Sequence, residues 1–563
     1  MTVKSGPWIL GISASHNGAV CLLRDDEIVV AIQEERLTRR KRDYIYCGQP
    51  ALALDYCLSY AGIRPQDLSM IVRCIPNPAK DPRQDVLLNP MLEAARHNIP
   101  VLTIPHHYGH ALSAFATSGF SEAALLVIDG AGSPFEDLFE NEQSAIKQHV
   151  NGGYETISLY AASESSITPL EKQMVEHGDW LGPDRLTMPE FGSLGGMYSA
   201  AAVQIFGDLN DAGKVMGLAP YGKPEIPAPE FFDVVDGLFV FRDHVPRRFA
   251  DAVERWPMHA DRYKSLAGSV QAALEEAVLY LVEHLYKLCP SRNLCYSGGV
   301  ALNSVANERI INESSFERIY IMPPAEDSGP SIGAAYYGLW QLTGRNNLRK
   351  LVHDACGREY SPAEITGAIE KMQNADIVDT ENFIAETAEL LSQGKIIGWF
   401  QGRSELGPRA LGQRSILCDP RRPDAKEFLN SRVKHREAFR PFAPVILLEE
   451  VGNWFECAAP EIESPFMLRV CHFKEDKKES VPAVVHVDGT GRLQTLTREA
   501  NGRLYELVCK FHEKTGVPIL VNTSFNVMGE PIVETPEDAL RCFLSTGIDY
   551  CVMQDWLVRK VAH

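Results

Sequence analysis

Three short runs rich in aliphatic and β-branched residues open the chain: Trp8 to Ser13, Gly18 to Leu23 and Ile28 to Gln33. Runs of this length predict strands, and the polar Arg24-Asp25-Asp26-Glu27 between the last two predicts a tight turn. A unit of the same form recurs: the apolar run Ala123 to Asp129, a loop, then two strands around Asn151-Gly152-Gly153 ending near Leu159. Helices follow each copy. Pro50 is placed to open one at Ala51, and Ser269 to Leu288 carries apolar residues at helical spacing. Strands and helices then alternate: Asn293 to Tyr296, a helix from Ala301, Arg318 to Ile321, and a helix from Ser328 ending near Gly344. The polar stretch Arg345 to Lys350 predicts an interdomain connection, after which a second α/β domain opens with helix, strand (Lys395 to Phe400) and a Gly/Arg-rich loop.

Composition narrows the classes. At ~150 residues per domain, 563 residues allow more than one domain with large cores. Apolar residues at 45% and charged residues at 23% exclude a mostly disordered or fibrous chain. The net charge of −19 argues against a non-specific nucleic-acid or anionic-membrane surface, because both partners are polyanions. None of the 13 cysteines forms a C-x-x-C pair, so neither a zinc knuckle nor a disulfide framework is expected, and a reducing cytoplasm is the simplest compartment. With no signal-peptide apolar region and no run of ~18 apolar residues, a soluble protein is expected.

His106 and His110 are four apart, so a helix puts both imidazoles on one face, the spacing of a metal pair. A zinc peptidase would need Glu after the first His, and His107 stands there. Taken alone, the pair also fits polar surface or core histidines. Asp129, at the end of an apolar strand before Gly130-Ala-Gly132, and Asp327, just before a helix, complete a mixed N/O set suited to Fe(II), Mn(II) or Zn(II). Ser297-Gly298-Gly299-Val-Ala-Leu-Asn303 links strand to helix and brings backbone N–H groups toward an anion or nucleotide. Gly207 to Val215 only imitates a P-loop: the spacing is one residue too long and Val215 replaces the magnesium-binding hydroxyl. In the second domain Arg403, Arg409, Arg414, Lys434, Arg436, Arg440 and Arg492 gather among glycines, with Ser524 and Asn526 downstream. Such a set suits a small, highly charged phosphate ligand, though Arg beside Pro and Phe also makes structural ion pairs.

Taken together, these motifs resemble the NodU/CmcH/TobZ carbamoyltransferase family, which includes antibiotic O-carbamoyltransferases such as the tobramycin enzyme. Further residues carry the resemblance: Ser15-His16-Asn17-Gly-Ala, Glu34-Glu35-Arg36-Leu-Thr38, Gly213-Lys-Val-Met-Gly-Leu-Ala-Pro-Tyr221, Gly407-Pro-Arg-Ala-Leu-Gly412, Phe439-Arg-Pro-Phe442 and Thr523-Ser-Phe-Asn526. Asn17, where Asp is often seen, and Met528-Gly529 depart from the pattern. The resemblance implies an α/β chain of two domains. Residues 1–344 would form a duplicated ASKHA (actin/hexokinase-like) carbamoyl-transfer domain, similar to tRNA threonylcarbamoyladenosine transferases. Residues 353–563 would form a YrdC-like domain that makes carbamoyl-adenylate.

Carbamoyl phosphate and ATP, with Mg(II), would then react at Arg409, Lys434, Arg436, Arg440, Arg492, Ser524 and Asn526. The adenylate would be held in the first domain by Ser297, Gly298, Gly299 and Asn303 beside a metal on His106, His110, Asp129 and Asp327. A small-molecule hydroxyl would be the acceptor. His16 is the expected general base, its reference pKa of ~6.5 suiting alcohol deprotonation, and Lys41 a phosphate contact. The stretch from Ser133 to Glu190 is where an acceptor pocket is expected. No nucleic-acid or membrane partner is expected, and a homodimer remains open. The alternatives are a tRNA threonylcarbamoyladenosine-type transferase and an inactive nucleotide-binding regulator.

Overall fold

The first sheet is a five-stranded unit built from β1 (Trp8–Ser13), β2 (Ala19–Arg24), β3 (Glu27–Gln33), β4 (Met70–Cys74) and β5 (Val101–Ile104). The structure, a computed structural model, describes residues 6–45, 49–75, 99–148, 153–175, 192–242, 256–344, 348–457 and 462–561. Strand order is β3-β2-β1-β4-β5; β1 runs antiparallel to β2 and parallel to β4. A second sheet comprises β6 (Glu122–Ile128), β7 (Tyr154–Ser163), β8 (Ser166–Val175), β11 (Asn293–Ser297) and β12 (Arg318–Ile321) in the order β12-β11-β6-β7-β8. The hairpin of β9 (Phe232–Val235) and β10 (Leu238–Phe241) stands apart. Numbered from its own first strand, each five-stranded sheet reads 3-2-1-4-5, with an antiparallel meander followed by parallel strands. The duplication expected of an ASKHA fold is present in the topology itself.

The second hairpin differs from the sequence expectation. Instead of two strands around residues 151–153, one ten-residue strand, β7, follows that position, and the reversal comes at Glu164-Ser165. Residues 151 and 152 lie outside the described residues. The cause is burial. β7 pairs on both edges and is buried on both faces along most of its length, so it lacks the alternation that marks a half-exposed strand. The helix expected from Ser269 starts earlier and spans Ala260–Leu288. The one expected from Ala301 starts at Ser304, capped by Asn303 after a short 3-10 turn.

The chain divides into two compact units, Met1–Glu34 with Tyr44–Leu351, and Glu35–Asp43 with Val352–His563. Residues 35–43, which the sequence reading left in the first domain, fold with the second unit. Arg36, fully buried, donates to the Gly407 carbonyl at 2.6 Å, and Arg39 donates to the carbonyls of Pro531 and Ile532 at 2.8 Å.

The second unit holds one mixed sheet, in the order β13-β22-β21-β14-β15-β20-β16-β19-β18-β17. Its strands are β13 (Ala375–Val378), β14 (Ile397–Phe400), β15 (Arg414–Cys418), β16 (Ala443–Leu447), β17 (Phe455–Glu456), β18 (Arg469–Phe473), β19 (Thr490–Leu496), β20 (Ile519–Ser524), β21 (Tyr550–Met553) and β22 (Trp556–Lys560). Trp399, Phe400 and Phe511 anchor its core. Among the described residues no helix is long and apolar enough to cross a membrane.

Candidate metal centre and cationic cluster

The helix His106–Ser118 is buried along its entire length. It crosses the helix Gly329–Thr343 where Gly333 leaves no room for a side chain: a Cβ there would lie 2.1 Å from the Gly109 carbonyl oxygen. That close approach brings Asp327, two residues before the second helix, over the His106/His110 face. Asp129 arrives from the end of β6, where a Cβ on Gly299 would come within 3.0 Å of its Oδ1. These are loops at the carboxyl ends of parallel strands, the usual place for a site in α/β folds.

Four donor atoms converge, all within 4.8 Å of one another. His106 Nε2 lies 3.2 Å from His110 Nε2, 3.4 Å from Asp129 Oδ2 and 3.5 Å from Asp327 Oδ1. His110 Nε2 lies 3.3 Å from Asp129 Oδ2 and 3.7 Å from Asp327 Oδ1. Ligands about 2.1 Å from a transition ion stand about 3.0–3.4 Å apart in octahedral or tetrahedral arrangements. The residues therefore fit a divalent metal. Two imidazoles and two carboxylates suit Fe(II), Mn(II) or Zn(II) better than calcium, which takes oxygen ligands. His110 Nδ1 meets Ser297 Oγ at 3.2 Å, the outer contact that orients a ligating imidazole.

The electrostatics agree. Burial pushes Asp129 and Asp327 up, but His106 and His110, with His16 for Asp327, outweigh it and hold both carboxylates well below their ordinary range. Burial pulls His106 down, yet Asp327 and Asp129 hold it well above an ordinary imidazole. Asp327 also reaches outward. Its Oδ2 pairs with His16 Nδ1 at 3.1 Å, and the His16 side chain is 41% exposed.

Gly298, at φ 94°, passes against the Ile128 backbone, where a Cβ would meet the Ile128 oxygen at 2.3 Å. Asn303 has both side-chain groups engaged, its oxygen capping the next helix at Ala306 N and its amide donating to Gln271 at 2.9 Å. In this structure it shapes the turn.

In the second unit Arg409, Arg436, Arg440 and Arg492 face one another closely enough to repel. Burial and then neighbouring guanidinium charge lower Arg409 to about 10 and Arg436 to about 9, and push Arg492 well down. Nε of Arg409 and of Arg492 is buried and makes no hydrogen bond among the described residues. Arg436 stacks over Phe442 at 4.6 Å and donates to Asn430 Oδ1 at 2.8 Å; Arg440 lies 3.7 Å from Glu437. Lys434 is buried and surrounded by neutral oxygens: Ser524 O at 2.7 Å, Asn526 Oδ1 at 2.6 Å, Asn526 O at 2.9 Å and Ser524 Oγ at 3.1 Å. An ammonium has three protons, so Lys434 spends them ordering the Ser524–Asn526 turn. Lys41 is exposed; it lies in the segment that folds with this unit, and its charge adds to the lowering of Lys434. His16 and Lys41 therefore belong to different units. A concentration of cations with orphaned donors is chemistry suited to an anion.

Family models match almost the whole chain: one described as carbamoyltransferase N-terminus over residues 8–81 and 84–336, one described as carbamoyltransferase C-terminus over residues 388–560. The chain belongs to the carbamoyltransferase family. Nodulation protein NolNO of Sinorhizobium fredii is 33% identical over 97% of this chain and 79% of its own length. Nodulation protein U of Rhizobium tropici is 27% identical, covering 95% of this chain and 93% of its own. The 3'-hydroxymethylcephem-O-carbamoyltransferase of Streptomyces clavuligerus is 30% identical over 63% of this chain and 66% of its own. The protein is thus an enzyme that transfers carbamoyl groups.

Two features of this carbamoyltransferase escaped the sequence reading. The helix Leu194–Phe206 opens against the Asp129 turn: Ser193 caps it, donates to the Gly130 carbonyl at 2.7 Å, and a Cβ on Gly195 would meet Gly130 N at 2.7 Å. The glycine pair after Ser193 was the available signal. The other is a buried charged cluster behind His106, treated below. Of the stretch expected to hold the acceptor pocket, residues 149–152 and 176–190 lie outside the described residues.

Proposed function

We propose that this enzyme is an ATP-dependent O-carbamoyltransferase working at two sites. In the second unit one water cleaves carbamoyl phosphate to carbamate and phosphate, and carbamate then displaces pyrophosphate from Mg(II)-ATP to give carbamoyl-adenylate. In the first unit an alcohol attacks the carbamoyl carbon, an O-carbamate forms and AMP leaves. Every atom is accounted for, and no redox partner is needed.

The anionic burden of the first step is what the second unit is built to carry. Carbamoyl phosphate beside a triphosphate crowds many negative charges, and Arg409, Arg436, Arg440 and Arg492 supply preorganised donors for them. Lys434 keeps the Ser524–Asn526 turn in shape.

For transfer, the observation that carries the reading is the bridging position of Asp327, one oxygen in the four-donor cluster and the other on His16 Nδ1 at 3.1 Å. That bond sets the tautomer with the proton on Nδ1, so Nε2 presents the lone pair that takes the acceptor's proton. The developing imidazolium stays paired with Asp327. Ser297, Gly298 and Gly299 close the floor beside Asp129, where backbone can approach the adenylate phosphate. A divalent ion on His106, His110, Asp129 and Asp327 would supply Lewis acidity toward the adenylate. The O-carbamoyltransferase relative supports a hydroxyl acceptor.

The test is an acceptor screen. Aminoglycoside, polyketide and nucleoside alcohols are incubated with enzyme, carbamoyl phosphate and Mg-ATP, and products are read by mass spectrometry. The expected product carries one added carbamoyl group per AMP formed. Carbamoylation without ATP consumption would overturn the reading.

A further inference from the structure

The helix carrying His106 and His110 begins at Pro105 with no side-chain cap of its own. Its first N–H groups are satisfied from elsewhere in the fold. His106 N donates to Ser133 Oγ at 2.9 Å, and His107 N donates to Glu155 Oε1 at 2.9 Å. The same Glu155 oxygen accepts Ser133 N at 3.0 Å, so one carboxylate holds both the helix start and the serine that caps it. The Glu155 backbone does a second task. Its carbonyl accepts Gly132 N at 2.8 Å and its N–H donates to Ser133 O at 3.0 Å, tying down the loop that follows Asp129. Packing is tight: a Cβ on Gly132 would lie 2.6 Å from Glu155 Cγ and 2.7 Å from His107 Cδ2. One residue thus touches two of the three segments that supply the four donors.

Glu155 is held in turn. Lys172 Nζ donates to its Oε2 at 2.5 Å and also contacts Glu142 Oε1 at 3.0 Å, Ser158 Oγ at 2.9 Å and Tyr160 OH at 2.9 Å. All of these side chains are fully buried. Burying charged groups is costly before they are paired, and apolar replacements of the same shape are often neutral or stabilising. Such a cluster is a poor way to hold a core together and a good way to fix one geometry.

We propose that Glu155, braced by Lys172, is a positioning residue that sets the first turn of the His106–Ser118 helix and the Asp129 loop in the register the donor cluster requires. The inference rests on the metal reading above for its purpose, and on the hydrogen bonds alone for its mechanism.

Glu155→Ala removes the acceptor for the N–H groups of His107 and Ser133; Glu155→Gln keeps an oxygen there. Val282→Ala trims a buried helix that contributes nothing to the cluster and serves as a stability control. Two readouts are taken on full-length protein: amide exchange at residues 107 and 133, and titration of metal-stripped protein with Co(II), whose visible bands report ligand geometry. Glu155→Ala is expected to speed exchange at both amides and to weaken Co(II) binding about 10–100-fold, with Glu155→Gln restoring most of both. Val282→Ala should lower the melting temperature without either change. Unchanged exchange in folded Glu155→Ala, or equal loss of Co(II) affinity in Val282→Ala, would overturn the proposal. Wild-type protein that binds no divalent ion overturns the metal reading instead, and the exchange data still decide the positioning role.

Discussion

Arg492→Met should make the ligand-free second unit more stable and shrink the further stabilisation it gains from a bound anion. Arg492 sits on β19 with its Nε buried and unbonded among the described residues, facing the charges of Arg409, Arg436 and Arg440. An unsatisfied buried donor costs about 1–3 kcal/mol. Repulsion from the neighbouring guanidinium charges adds to that cost, and by less where solvent reaches them. Methionine keeps the apolar stem and sheds both penalties, so a net gain of about 1–3 kcal/mol follows, each kcal/mol raising the melting temperature of a unit this size by about 2–4 °C. Pyrophosphate at 100 times its Kd stabilises wild type by about 2.7 kcal/mol. Loss of one charge-assisted contact weakens binding roughly 10–100-fold, so the same concentration stabilises the variant by only about 0.4–1.4 kcal/mol. The assay is differential scanning calorimetry of both proteins with and without pyrophosphate, following the second unit's transition. A variant that is less stable without ligand and shifts as far as wild type with it would refute the idea that these arginines form an anion site held under repulsion.

Three further outcomes are expected. Gly333→Ala places a Cβ 2.1 Å from the Gly109 carbonyl, so the two helices must part; stability should fall by about 1–3 kcal/mol, with metal affinity falling beside it as Asp327 is displaced, read by thermal melts and metal analysis. His110→Ala takes one of four donors and should reduce bound metal and slow carbamoyl transfer severely; normal metal content with intact transfer in the folded variant would remove His110 from the site. His16→Ala should leave metal content unchanged and lower the rate of transfer from preformed carbamoyl-adenylate about 10²–10⁴-fold, whereas a purely structural His16 would lower stability and leave that rate intact.

Much of this was legible in the chain because it rests on local patterns. The i, i+4 spacing of His106 and His110 carries directly onto a helix, and Asp129 and Asp327 stand out as isolated acids at segment ends. Arginines crowded among glycines in a net-acidic chain mark the cationic cluster. What stayed hidden depends on contacts distant in sequence. Nothing in Glu35 to Asp43 tells that its side chains bond carbonyls nearly 500 residues away, as Arg39 does with Ile532. Glu155 reads as an ordinary polar strand residue, because a strand buried on both faces erases the alternation that would have flagged a charge turned inward. Asn303 carries a motif position, yet its amide is spent on capping and on Gln271, a pairing that spacing alone does not reveal.

The central claim is that activation and transfer are done by different residues in different units. It is tested most directly by ATP–pyrophosphate isotope exchange that depends on carbamoyl phosphate, run without any acceptor on wild type, Lys434→Ala and His110→Ala. The account predicts exchange in wild type, exchange retained in His110→Ala, and loss in Lys434→Ala, whose Ser524–Asn526 turn has lost its organising ammonium. Exchange that survives in folded Lys434→Ala, or disappears together with bound metal in His110→Ala, would contradict it.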